Sequence, residues 1–361
     1  MAATKQPSKT PLSQRMKRSA LGLARFAARA AGRSKEAAAL TAPGIVQGVL
    51  RPFQRRRPPR MDLCLVVKDG SRGWILEAVC REIAAHFDGR AEICGRLDRL
   101  PRARGFFFSH YHFYLAALKH NPHLWDSPCA VWVTHPKEEA RDFGGPACVR
   151  ALARTRVVSM CSLWRDLLEQ AGIPRDHLRV SLAGADPDFF PPHRRGGGRI
   201  GFCAAYYDRK SPDRIIDLVR AMPHHSFTLM GRGWSECPGF ADLLRLPNFD
   251  YREGRYADYP AFYRELDVFV SLAALEGGPV PLIEAMMSNV VPVATRTGFA
   301  PDLIRDGENG FLCEIDASTA TVAELVERAV VTTADIRSTV EHLTWGRFSR
   351  IIQEAAGVAT A

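Results

Sequence analysis

The chain has 361 residues, 46% of them apolar and 24% charged, which exceeds one ordinary core and suits two α/β domains. Its net charge of +10 is unevenly spread: residues 1–60 hold 14 Lys/Arg against the single acid Glu36, so that segment is +13 and the remainder −3. A near-neutral body argues against a nucleic-acid-binding protein, and nine cysteines without a C-x-x-C pair encode neither a zinc knuckle nor a disulfide framework.

No run of 18 apolar residues interrupts this composition, and the apolar stretch after the basic start is broken by Arg25 and Arg29. Neither a transmembrane helix nor a secretory signal is expected, and the reading is a cytoplasmic protein with reduced cysteines. Within residues 1–60 a helix is expected at about 14–40, with Arg15, Arg18, Arg25, Arg29 and Arg33 on one face. That face suits the anionic inner surface of a membrane; the alternative is a solvated extension, or a start codon placed upstream of Met61.

From Met61 strands and helices alternate. "DLCLVV" (62–67), "AEIC", "GFFFSH", "AVWVTH" (130–135), "VVSMCS" and "HLRVSLA" read as strands, with helices after "KDGSRGW", in "YHFYLAALKHN" and in "LWRDLLEQAG". The run "PPHRRGGG" (191–198) interrupts the pattern as a linker. Alternation then resumes through "RIGFCAA", "SFTLMG", "FDY", "VFVSLA" and "VVPVAT", with helices between, including "PLIEAMMS". This pattern predicts two doubly wound parallel sheets facing a cleft at their carboxyl ends. The expected organisation is an extension at 1–60, domains at 61–192 and 200–345 joined by a linker at 193–199, and a closing helix and tail at 346–361.

The densest chemistry lies in "LEGGPVPLIEAMMSNVVPVATRTGFAPDLIRDGENGFL" (275–312). Gly277, Gly278, Pro279 and Val280 form a turn leading into a helix, whose unpaired N–H groups and partial positive charge suit a diphosphate or a sugar oxygen. Glu276 precedes the turn and can accept from hydroxyls of a transferred sugar; Glu284, one turn into the helix, can accept from ribose hydroxyls or can simply be held by the helix dipole. Lys210 and its neighbour Arg209 lie in "FCAAYYDRKSPDRI", directly after a strand. Gly70 and Gly73, in "KDGSRGW", are candidates for close backbone approach to phosphates or acceptor.

These stretches resemble family 4 retaining glycosyltransferases of the GT-B fold. The matching residues are "RVVSMCSLWRDLLEQAGIPRDHLRVSLAGADPDFF" with Gly184, Asp186 and Phe189; the Glu-x7-Glu pair Glu276 and Glu284; Pro292, Val293, Gly298 and "DGENGFL"; and the closing "LTWGRFSRII". The resemblance runs over about residues 61–353. It implies a metal-independent enzyme without a cofactor, using a UDP- or GDP-sugar as donor and a hydroxyl of a glycan or glycolipid as acceptor. It also implies that Glu276 orients the sugar, Glu284 holds the ribose, Lys210 meets the diphosphate and His135 contacts the transferred sugar. Gly254, Arg255 and Tyr256, in "YREGRY", resemble the turn that reads the nucleobase. One departure stands out: Ala205 occupies the family's usual first arginine position, so one of the two phosphate cations that the resemblance implies is missing or Arg209 substitutes for it.

Two other readings compete. A glycosidase needs carboxylates on opposite sides of a glycosidic bond, whereas both glutamates here come from one turn-helix unit. A non-catalytic nucleotide-sugar-binding or membrane-scaffold protein fits Ala205 and the basic extension. Asp186-Pro-Asp188 spells a metal-binding D-x-D, but the resemblance makes it structural, and no His/Asp/Glu cluster elsewhere is expected to hold a metal.

Overall fold

The computed structural model describes residues 59–71, 75–136 and 143–359, so the expected helix at 14–40 and Gly73 lie outside the described residues. The first half contributes β1 (Met61–Val66), β2 (Ala91–Cys94), β3 (Ala103–Phe108), β4 (Cys129–Val133), β5 (Arg156–Ser159) and β6 (Leu178–Val180). The second contributes β7 (Arg199–Cys203), β8 (Ser226–Met230), β9 (Phe249–Arg252), β10 (Val268–Ser271), β11 (Val291–Thr295) and β12 (Phe311–Cys313). They build two six-stranded sheets, ordered β2-β1-β3-β4-β5-β6 and β12-β11-β10-β7-β8-β9. Neighbouring strands pair in parallel, for example Leu63 with Gly105 and Val268 with Val291.

Parallel strands need crossovers, which cover both faces of each sheet with helices. The strands accordingly read as continuous apolar runs: all five residues of β4 and all five of β11 are buried. The sequence pattern placed these strands to within a few residues. It left unassigned the helix Pro146–Leu152, the short strand β12 and the helix Thr319–Val330.

The chain crosses between the halves twice. The segment between β6 and β7 is anchored on the second sheet, where the Gly196 N–H donates to Asp267 at 3.0 Å and His193 bridges the carbonyls of Ser288 and Leu266, each at 2.7 Å. The helix Trp345–Ala355 then returns to the first sheet. Its Ser349 hydroxyl donates to Ile83 O at 3.0 Å, Gln353 donates to His86 O at 2.9 Å, and Phe348 meets Trp132 edge-on at 5.6 Å. At the crossing a Cβ on Gly184 would lie 2.6 Å from the Thr344 carbonyl carbon, so glycine permits the close approach.

Candidate active site

In the second sheet the connections diverge between β7 and β10: β7 leads outward to β8 and β9, β10 to β11 and β12. Ligands of open α/β sheets sit outside the carboxyl ends of the strands at such a reversal. Two segments leave those strands there. After β7 comes a single 3-10 turn, Asp208–Lys210, and after β10 the Leu275–Pro279 loop. The Ala274 N–H donates to Arg209 O at 2.8 Å and holds the two together.

That pairing brings Lys210 and Arg209 onto Glu276. The Lys210 ammonium bonds one carboxylate oxygen of Glu276, and Arg209 donates to the other at 3.1 Å and to Leu275 O at 3.2 Å. Glu276 is 4% exposed, so these are charge-assisted bonds away from bulk water. Two cations thus share the single carboxylate of Glu276.

The Gly277-Gly278 turn packs tightly against the first half. A Cβ on Gly277 would lie 2.0 Å from Thr134 O, and one on Gly278 would lie 2.2 Å from the Phe299 ring and 2.4 Å from the Met160 methyl. Both glycines are required by space rather than by dihedral angle. Thr134 precedes His135 just past β4, so the predicted cleft histidine stands beside this turn, its Nδ1 bonded to Pro136 O at 2.7 Å. Trp164 Nε1 donates to the Glu276 carbonyl at 2.8 Å, and the Glu276 N–H donates to Thr297 Oγ1 at 3.2 Å. Ser162 donates both N–H and hydroxyl to Asp302, which caps the helix Ser162–Gln170 from the other half.

Pro279 precedes the helix Val280–Met287 with no side-chain cap, so no side chain competes for its first N–H groups. Glu284 lies within this helix, 2% exposed, and accepts from the Tyr263 hydroxyl at 2.9 Å. Burial pushes its carboxyl up from the usual 4.5 to about 7, while hydrogen bonds from Tyr263 and Tyr256 pull it down. Tyr256 reaches Glu284 from the turn after β9 and stacks on Phe189 at 5.3 Å. The neighbouring Arg255 N–H is taken by Asp258 at 2.7 Å, and a Cβ on Gly254 would lie 3.1 Å from the Met230 sulfur. The two tyrosines therefore already donate to the Glu284 carboxylate.

Gly70 sits at the carboxyl end of β1 with open space around the position a Cβ would take. Asp186 spends its Oδ1 on the N–H groups of Asp188 at 2.9 Å and Phe189 at 3.2 Å, the bonding of a local turn. Sequence reasoning missed Trp164, Tyr263, Thr297 and Asp302, each of which reads as an ordinary helix or loop residue. It also missed His110, which lies near His135 and is pushed down to about 3 by burial, then by His112 and His135, and so is neutral.

Residues 250–333 match the family model for glycosyl transferases group 1. The chain has the GT-B fold. The segment that matches the family model includes Gly254, Arg255, Tyr256, Glu276 and Glu284; Lys210, Arg209 and His135 lie outside it. Anabaena HepE in complex with UDP-glucose superposes with a TM-score of 0.66 at 14% identity, over 83% of this chain and all of that one. The lipopolysaccharide outer core galactosyltransferase WaaB gives 0.62 at 13%, over 81% and 99% of the two chains. Sucrose-phosphate synthase from Thermosynechococcus elongatus gives 0.62 at 13%, over 82% and 98%. At such identities the likeness is one of fold. Among curated proteins, none matches this chain in sequence.

The sequence singled out no His/Asp/Glu cluster as a metal site; among the described residues the fold gathers His224, His225 and Glu327 with ligand atoms within 4.8 Å of one another. Residues 102 and 103 positions apart became neighbours because the helix Thr319–Val330 packs beside the turn that enters β8. Among the described residues, no helix is long and apolar enough to cross a membrane.

Proposed function

We propose that this protein is a retaining glycosyltransferase that moves a sugar from a UDP- or GDP-sugar to an acceptor hydroxyl on a glycan or glycolipid, without a metal or cofactor. The observation that carries the reading is the Lys210–Glu276–Arg209 group at the strand reversal of the second sheet, beside an uncapped helix start. HepE, of the same fold, is described with UDP-glucose, which supports a nucleotide-sugar donor here.

In this reading the diphosphate lies against Lys210, Arg209 and the N–H groups around Gly278, which stabilise charge as it develops on the leaving phosphate. Glu276 turns a carboxylate oxygen to the sugar hydroxyls. His135 meets the sugar from the first half of the chain, and Glu284 and the turn 254–256 hold the nucleoside. The acceptor oxygen bonds to the anomeric carbon from the face the phosphate leaves, the carbon–phosphate-oxygen bond breaks, and the acceptor proton passes to the departing phosphate oxygen. No side chain becomes covalently bonded.

The experiment is a panel of UDP- and GDP-sugars offered with glycan and glycolipid acceptors in the presence of EDTA, with the product's anomeric configuration read by NMR. Transfer with retained configuration is expected. An inverted product, or activity that returns only on adding Mn²⁺ or Mg²⁺, overturns the mechanism. The second reading, a non-catalytic nucleotide-sugar-binding protein, rests on Ala205; donor binding without transfer or donor hydrolysis would favour it.

A further inference from the structure

His224 and His225 lie in the turn between the helix Pro212–Ala221 and β8, at the amino end of the strand. In a parallel sheet that edge is opposite the carboxyl ends where the donor site is placed. His224 Nε2 lies 2.8 Å from Glu327 Oε1; His225 Nε2 lies 3.0 Å from Oε1 and 3.1 Å from Oε2. Two imidazole nitrogens thus converge on one carboxylate from two elements of the fold. The His225 side chain is 13% exposed, whereas those of His224 and Glu327 are 62% and 48% exposed.

We propose that His224, His225 and Glu327 form a binding site for a borderline divalent transition ion of the Zn²⁺ class, clamping the turn before β8 to the helix Thr319–Val330. Two imidazoles and a carboxylate are a donor set suited to such an ion rather than to Mg²⁺ or Ca²⁺, which prefer oxygen. An ion about 2.0 Å from each of three tetrahedral ligands holds them about 3.3 Å apart. The present nitrogen–oxygen separations of 2.8–3.1 Å are slightly shorter, so coordination takes a small outward movement together with transfer of each imidazole's proton from Nε2 to Nδ1, which frees the Nε2 lone pair for the ion. The outer side of the cluster is open, which leaves a fourth position for water. The site is structural, since it lies at the far edge of the sheet from Glu276.

The test is titration of the full chain with Zn²⁺ by calorimetry, alongside Co²⁺ absorption spectra and thermal melts. One site is expected, with Co²⁺ bands lacking the charge transfer of a cysteine thiolate. His224→Ala and Glu327→Gln change exposed side chains and should fold normally. Each should weaken Zn²⁺ binding by more than about 10-fold, the loss seen even for an outer-shell partner, and should abolish the Zn²⁺-dependent rise in Tm. Transfer by these variants should match the parent, so the result stands apart from that of the donor assays. Absence of Zn²⁺ binding by the parent, equal binding by the variants, or a thiolate band with Co²⁺ each overturns the proposal.

Discussion

Trp164 Nε1 donates to the backbone carbonyl of Glu276 at 2.8 Å, so a helix of the first half steers the loop that carries the second half's central carboxylate. The tryptophan is 8% exposed. Trp164→Phe keeps most of the ring and removes only the donor, leaving a buried carbonyl without its side-chain partner. A loss of about 1–3 kcal/mol in stability is expected, with turnover lowered because the loop is less firmly held. Denaturant midpoints and steady-state kinetics measure both; unchanged turnover would show that the bond is not needed to position Glu276.

Glu276→Gln keeps the shape of the side chain but removes the charge that Lys210 and Arg209 now share. Turnover should fall by about 1–3 kcal/mol of transition-state stabilisation, while the donor dissociation constant stays level or tightens. Weakened donor binding with normal turnover would reverse the roles assigned to Glu276 and the cations.

Glu284 predicts a pH dependence with a definite sign. Its carboxyl titrates at about 7 in the folded chain instead of the usual 4.5, chiefly through burial. Below 4.5 it is protonated in both folded and unfolded chains and costs nothing; between 4.5 and about 7 the unfolded chain ionises first, and stability is lost as pH rises. The loss is of order 3 kcal/mol at about 1.4 kcal/mol per pKa unit. Glu284→Gln should flatten this part of the pH–stability curve and weaken donor binding at pH 8. A parent curve with no such decline would place the titration elsewhere.

Gly277→Ala tests the contact between the halves. The added methyl would start 2.0 Å from Thr134 O, a backbone atom that cannot swing aside. Overpacking of this kind costs about 1–3 kcal/mol, and the halves must separate locally to relieve it. Both Tm and turnover should drop. Normal activity would mean that the turn need not stay against β4.

The basic extension gives the last expectation. With +13 of charge in residues 1–60, the full chain should pellet with anionic vesicles at low salt and release as salt rises. Each Lys or Arg near such a surface contributes about 1 kcal/mol. A protein starting at Met61 should keep donor affinity and stay in solution. If both forms ignore the vesicles, a soluble acceptor becomes the better choice.

Strand periods and the Gly-Gly-Pro turn are short-range features, written within a few consecutive residues. For that reason β2 is legible from "AEIC" alone, and Glu276 and Glu284 could be marked as site residues before any geometry was known. The helix Pro146–Leu152 and the three-residue strand β12 carry too little pattern to stand out, and they take their conformation from the sheets they join. What no local pattern contains is which distant segments touch. Lys210 and Glu276 are 66 positions apart, and Trp164 and Glu276 are 112 apart. They meet because the strand order sets β7 beside β10 and because the turn at Gly277 packs against Thr134. The same holds for His224, His225 and Glu327, whose ligand atoms converge only once the helix Thr319–Val330 packs beside the helix Pro212–Ala221. Side-chain chemistry can be read residue by residue; the distances that turn it into a site are set by long-range packing of apolar faces, which a single stretch of chain cannot encode.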